Sequence, residues 1–447
     1  MKLIALILVG LSVFASAAEL EWKAAATKAT ITPKEPMWMA GYASRNKPAD
    51  GTAQELFAKA LAIEDAGGKR VVFVTLDLIG VPRTLHTALV QRLALKPEAL
   101  LLNVSHTHCG PEFRLAGKPG IFAEFGGADK AEAYGKFLED TLARLVTDAL
   151  AQLAPAQLSY HHARCGFAMN RRRDYALPPE EPNAKLAPNP NGPVDQAVPV
   201  LRVADAAGKL RAVLFGYACH NTTLSFYQWC GDYAGYAQEF VEAEHPEAVA
   251  LFVSGCGGDQ NPYPRGRIEL AQYHGRALAT AVDAALQGPP HTLSGPLQTA
   301  FADVSIDFAP FTRATFEEEL KSKDKYVAGH GRRLLERLEK DGKVPESYPY
   351  PVQTIRFGKG LTFIGLGGEV VVDYSLRLKR ELTGGPVWVA GYCNDVMGYI
   401  PSKRVLEEGG YEGGDSMRYS SLPGRWAPTV EERIISKVHE LLGRRAP

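Results

Sequence analysis

Residues 103–112 read NVSHTHCGPE, two histidines one residue apart after an apolar run. In an extended chain, residues two apart point to the same side, so His106 and His108 can face one site together. One can bind a metal while its neighbour serves as a general base or as a donor behind the ligands. The competing reading is a pair of strand-end histidines satisfied within the core. A third histidine, His220, ends the run GYACH, and GLGGE sets Glu369 directly after two glycines that let backbones approach closely. Two histidines and one carboxylate make a frequent catalytic zinc set with a position left open for water. Further on, GYCNDVMGYIPSK and GGYEGGDS put Tyr399 and Tyr411 among turn residues.

Such groups need strand ends to hold them. LFAKALAIED and KRVVFVTLDLIGV read as two strands joined at AGGK, TLHTALVQRLAL has helical spacing, and ALLLNVSHTH is strand-like again. The same alternation returns in VPVLRVAD, KLRAVLFGYACHN, helical YAGYAQEFVEAE and strand AVALFVSG. This order predicts an α/β fold, a mixed β-sheet core layered with helices. RRRDYALPPEEPNAKLAPNPNGP is aperiodic and reads as a long loop, a lid or a surface excursion. TFEEELKSKDKYVAGHGRRLLERLEKDG reads as a charged, solvated helical hairpin inserted between strands, and PVQTIRFGKGLTFIGLGGE as a β-hairpin. No linker divides the chain, so residues 19–447 are expected to form one domain.

The N-terminus MKLIALILVGLSVFASAAELEW has a lysine, a short apolar stretch and a small-x-small site, so residues 1–18 are expected to be a signal peptide and the mature protein exported. Nothing later is long and apolar enough to span a membrane, although transient contact with a membrane surface is left open. Fifty Lys+Arg offset fifty Asp+Glu, so no basic field points to nucleic acid. Six cysteines include no CxxC pair, which argues against a thiolate zinc site and leaves bridges and free thiols equally open.

Together these stretches resemble the N-terminal catalytic domain of the neutral/alkaline non-lysosomal ceramidase family, which are zinc amidases. TITP with GYA and LFAKAL look like the family's opening, and SHTHCGP is similar to its HTHSGP motif. MNRR, CHNTT with GDYAGYA, GGDQNP, GLGGE, and NDVMGYIPS with YEGGDS follow in the family's order. The resemblance implies zinc ligands at His106, His220, Glu369 and Tyr399, and further active-site residues at His108, Arg171 and Tyr411. Two departures stand out. Asn261 occupies the position of the family's serine; a carboxamide cannot attack as a nucleophile but can hydrogen-bond substrate. The chain also stops where family members usually continue into an immunoglobulin-like domain.

The expected function is therefore zinc-dependent hydrolysis of an amide bond in a ceramide-like N-acyl lipid or related N-acyl compound, with Asn261 contacting substrate. Zinc would acidify its water, His108 would carry the proton to the leaving amine, Tyr411 would stabilise the oxyanion, and Arg171 would hold a nearby oxygen. Two alternatives are an exported, non-catalytic binding protein for acylated ligands and a different metal-dependent amidohydrolase or esterase. Against a barrel amidohydrolase, the strands do not recur with eight regular helices.

Overall fold

The computed structural model describes residues 21–113, 115, 127–175, 177, 178, 180, 181 and 188–444. The expected signal peptide lies outside them, as does part of the long loop after Asn170. Apolar runs read as strands become one large mixed sheet. Its order is Val249–Ser254, Leu210–Tyr217, Ala197–Asp205, Ala154–Arg164, Trp22–Thr30, Phe57–Asp65, Arg70–Leu76 and Leu100–Val104, with His291–Thr292 paired to Ala154–Arg164. The interior pairs are antiparallel, whereas the outermost pair at each edge is parallel. Each parallel edge needs a crossover, and helices Arg83–Arg92 and Asp232–Glu244 supply them.

Helices cover one face of this sheet, with Leu138, Leu142 and Val146 of helix Ala128–Ala151 packed on Ala60, Val72 and Val74. A second sheet, Leu297–Asp307, Ser347–Phe357, Leu361–Leu366 and Val387–Ala390, covers the other. The two sheets meet through large apolar side chains, with Phe73 edge-on to Phe363 at 5.3 Å and Trp22 against Phe357 at 5.7 Å. The result is the mixed β-sheet core layered with helices that the patterning predicts.

The large sheet coils until its two edges meet at one buried side chain. Asn103 Oδ1 accepts from the Ser254 backbone N–H (2.9 Å), and Asn103 Nδ2 donates to the Gly391 carbonyl (2.8 Å). Residues 100–104 and 249–254 are the opposite edges of the sheet, so this amide closes it and pins the chain leaving strand Val387–Ala390. His106 follows one edge by two residues, and His220 follows the neighbouring strand by three.

Several expectations change in the structure. Strand Leu297–Asp307 is absent from the sequence reading; most of its residues are partly exposed, so no apolar run marks it. The stretch AQLSYHHARCGFAMN, which reads from the sequence as a single strand, divides into Ala154–Arg164 and Ala168–Asn170. The charged hairpin, helices Arg313–Leu320 and Lys325–Asp341, keeps most of its charged side chains in solvent as expected, and its inner face is docked through His330 and Arg333 on carbonyls of residues 418–422. All six cysteines are buried free thiols.

Replacing Asn103 by Leu would strand the Ser254 N–H and leave the Gly391 carbonyl with only the weak Cys393 thiol donor. Each such buried orphan costs about 1–3 kcal/mol, so Asn103→Leu should lower unfolding stability by about 3 kcal/mol in denaturant titrations. A loss under about 0.5 kcal/mol would contradict the closure described here.

Candidate metal centre

Four chain segments bring donor atoms to one buried point beyond the strand ends. His106 Nε2 lies 3.1 Å from Glu369 Oε2, and His220 Nε2 lies 3.1 Å from the same oxygen. Tyr399 is the register partner of Glu369 in a short parallel pair, which sets its hydroxyl 3.1 Å from His220 Nε2. The four residues assigned as ligands by resemblance therefore converge. His108 stands beside them, its Nε2 3.2 Å from His106 Nε2, and the three histidines have ligand atoms within 4.8 Å of one another.

The backbone fixes which nitrogen of each ring is free. His106 Nδ1 faces the Ile79 carbonyl at 2.6 Å, and His220 Nδ1 faces the Gly257 carbonyl at 2.8 Å. A carbonyl only accepts, so both Nδ1 atoms carry a proton, and in the neutral ring each Nε2 presents a lone pair. The Tyr399 hydroxyl can serve His220, and the His108 ring can serve His106. No proton is left for Glu369 Oε2, a buried oxygen without a hydrogen-bond partner among the described residues. A buried acceptor hemmed in by acceptors is costly unless a cation satisfies it. Donors about 2.0–2.2 Å from a tetrahedral ion stand roughly 3.3 Å apart, which the spacing here matches. The residues present fit a divalent metal.

Electrostatics agree with that chemistry. Burial alone would raise the Glu369 carboxyl; positive charge and N–H donation at the His106 and His220 positions would outweigh it and hold the carboxyl well below the usual carboxylate range, and a bound cation would supply the same charge. Burial, then the Arg171 guanidinium, pushes His220 down to about 4. Burial and the two neighbouring imidazoles also depress His108 well below its ordinary value. At neutral pH the carboxylate is thus charged and these two rings are neutral, the states that ligate or accept a proton.

His108 differs from the other two histidines in its surroundings. Its Nδ1 has no hydrogen-bond partner among the described residues, and its ring packs at a tilt against Tyr42 at 4.7 Å. A Cβ at Gly41 would sit 2.5 Å from His108 Nδ1, and Gly41 has φ of 102°, so glycine is required there. No carbonyl locks the His108 tautomer, which leaves this ring free to take up and release a proton.

Arg171 is gripped on three sides. Its Nε donates to Glu412 (2.8 Å), Nη1 to Asn261 Oδ1 (3.3 Å) and Nη2 to the Tyr399 hydroxyl (2.9 Å). Asn261 Oδ1 also accepts from Thr222 at 3.4 Å, so this carboxamide occupies its oxygen with the arginine. Tyr411 is 44% exposed at the outer side, with its ring 5.3 Å from that of Tyr399. The structure thus brings all eight candidate residues into one neighbourhood.

Three participants escape a reading of the sequence. Glu412, next to Tyr411, clamps both Arg171 and Arg172. Gly41 makes room for His108, and only the GYA motif hints at it. Tyr392 packs 4.6 Å from the His106 ring with its hydroxyl unpartnered among the described residues. His106, Tyr392 and Asn394 all have left-handed φ (59°, 55° and 63°), strain of the kind that concentrates at functional sites.

The chain matches the family described as neutral/alkaline non-lysosomal ceramidase, N-terminal, over residues 25–305. It is 23% identical to the neutral ceramidase of Pseudomonas aeruginosa over 530 aligned positions, covering all of this chain and 76% of that protein. It is 26% identical to neutral ceramidase A of Dictyostelium discoideum over 254 residues, 51% of this chain and 34% of that one. The crystal structure of neutral ceramidase from Pseudomonas aeruginosa superposes with a TM-score of 0.71 at 20% identity, covering 96% of this chain and 76% of that chain. A ceramidase complexed with C2 superposes at 0.73 and 19% identity, covering 95% and 75%.

His220 also sets a stability trend. Its folded value of about 4 lies below the ordinary 6.5, so its contribution is intact above about pH 6.5 and lost as pH falls toward 4. Relative to His220→Asn, chelated wild type should lose up to about 3 kcal/mol between about pH 7 and about pH 4 in chemical melts. A stability difference that stays constant across that range would contradict the neutral, buried imidazole.

Proposed function

This chain belongs to the neutral/alkaline non-lysosomal ceramidase family, and from that premise we propose that it is an exported, zinc-dependent hydrolase acting as one domain over residues 19–447. Its substrate is the amide bond of a ceramide-like N-acyl lipid or a related N-acyl compound. The observation that supports this reading best is the meeting of two Nε2 lone pairs on one unpartnered carboxylate oxygen, each at 3.1 Å. His106, His220, Glu369 and Tyr399 would hold the ion. When bound, zinc polarises a carbonyl and makes water nucleophilic at neutral pH.

The chain's own groups divide the remaining work. His108, neutral and with no carbonyl fixing its tautomer, takes the proton from the attacking water at Nε2 and delivers it to the leaving amine. The Tyr411 hydroxyl, at the open side, donates to the oxyanion as it forms. Arg171 is charged and immobilised by Glu412, so it presents a fixed positive field to the same oxygen without reorganising. Asn261 keeps its oxygen on Arg171 and offers its N–H to substrate, a role that needs no nucleophile. No described helix is long and apolar enough to cross a membrane, so a lipid substrate would be met at a surface.

A metal assay combined with turnover tests this reading. Wild type should carry about one zinc per chain and hydrolyse members of an N-acyl panel running from ceramides to acyl amino acids, with chelator abolishing turnover. His106→Ala should lose the metal and at least about a thousandfold in kcat/KM, whereas Asn261→Ser should stay within about tenfold of wild type. Zinc retained with no turnover across the panel would favour the non-catalytic binding protein, and metal-free, inactive protein would overturn both.

A further inference from the structure

Tyr392 is unfavourable twice over. It is a bulky residue in the left-handed region, with φ of 55°. It is also 1% exposed, and its hydroxyl has no hydrogen-bond partner among the described residues. A phenylalanine would fill the same space without burying an orphan donor. Other buried tyrosines show the ordinary arrangement. Tyr134 donates to the Ile31 carbonyl (2.6 Å), Tyr350 to that of Gly367 (2.7 Å) and Tyr374 to that of Pro401 (3.1 Å). The Tyr392 hydroxyl therefore marks a partner that belongs to the site rather than to the fold.

The backbone sets this side chain against the ligands. The Tyr392 N–H donates to the Gly368 carbonyl (2.9 Å), and the N–H of Glu369 donates to the Gly398 carbonyl (2.8 Å). The segment after strand Val387–Ala390 is thereby laced to the turn that carries the carboxylate. The Tyr392 ring lies 4.6 Å from that of His106 at a tilt of 38°, and edge-on to that of His220 at 6.3 Å. It thus stands beside both imidazoles whose Nε2 atoms meet Glu369 Oε2. Burial, then the Glu369 carboxylate, pushes the Tyr392 phenol well above its ordinary value. The hydroxyl keeps its proton and is a donor, not an anionic ligand. Tyr399 differs, because its hydroxyl is already engaged by Arg171 Nη2 and His220 Nε2.

We infer that Tyr392 is a positioning residue of the metal centre, whose hydroxyl donates to the Glu369 carboxylate, directly or through one trapped water, and holds it in the orientation that meets the ion. Carboxylates that ligate metals are themselves held by hydrogen bonds, and loss of such a partner typically weakens metal affinity about 10–100-fold. A single water can bridge two buried polar groups that do not touch. The inference rests on the reading of this site as a metal centre and adds to it a residue that touches neither ion nor substrate. The hydroxyl then has opposite effects in the two forms of the protein. It destabilises the metal-free chain as an orphan donor and stabilises the loaded one through Glu369.

Zinc binding measured without substrate tests it. Tyr392→Phe removes the hydroxyl and keeps the ring. In competition with a chromophoric chelator, its zinc affinity should fall at least about tenfold from wild type. Its metal-free form should nevertheless unfold at an equal or higher denaturant concentration. The visible spectrum of the cobalt(II)-loaded protein, which reports the field of the ligands, should shift between the two. Tyr134→Phe, on helix Ala128–Ala151, should do the reverse, unfolding at lower denaturant with zinc affinity unchanged. Zinc affinity in Tyr392→Phe within about twofold of wild type would overturn the inference and leave the metal reading standing. So would a metal-free Tyr392→Phe as destabilised as Tyr134→Phe. A wild type that binds no zinc would overturn both.

Discussion

Two backbone carbonyls set the conditions for everything at the site. By accepting hydrogen bonds from Nδ1 of His106 and His220, the Ile79 and Gly257 carbonyls turn both Nε2 atoms inward, onto a carboxylate oxygen with no hydrogen-bond partner among the described residues. Three acceptors packed together in a dry interior repel one another and lose their hydration. A divalent cation converts that liability into the most favourable contact in the region. The folded chain therefore holds a preformed cradle, and the energy that shapes it comes from the surrounding sheets.

The architecture explains how such a cradle is held. Ile79 follows the strand next to the Leu100–Val104 edge, and Gly257 follows the Val249–Ser254 edge. Both edges are joined through Asn103, so the two carbonyls that orient the rings belong to one rigid closure. Glu369 and Tyr399 enter from the second sheet's side as partners in a two-residue parallel pair. Gly258 completes the fit, since a Cβ there would sit 2.6 Å from the Glu369 carbonyl oxygen. Ligands far apart in sequence are thus fixed by hydrogen bonds between backbones more than by side-chain packing.

How much of this is legible in the sequence depends on distance along the chain. Strands such as Arg70–Leu76 and Leu100–Val104 announce themselves because buried apolar runs are local signals. The HxH spacing and the GLGGE turn likewise reveal His106, His108 and Glu369 as candidates. The roles of Tyr399, Tyr411 and Arg171 come into view only through ordered family motifs, since a tyrosine in a turn has no distinctive pattern of its own. The Asn103 clamp is silent, because its partners lie 151 and 288 residues away. The helical hairpin is legible on its outer, solvated face and silent on its inner one. Its high charge reads as solvation, whereas His330 and Arg333 spend their donors on carbonyls of residues 418–422.

The central claim is that His106, His220, Glu369 and Tyr399 close on one cation. Anomalous diffraction from crystals of zinc-loaded protein, recorded at the zinc edge, tests it most directly. The account predicts a single peak about 2.0–2.2 Å from His106 Nε2, His220 Nε2, a Glu369 oxygen and the Tyr399 hydroxyl, with His108 outside bonding distance. A peak bound by all three histidines and standing clear of Glu369, or no peak at this position, would contradict it.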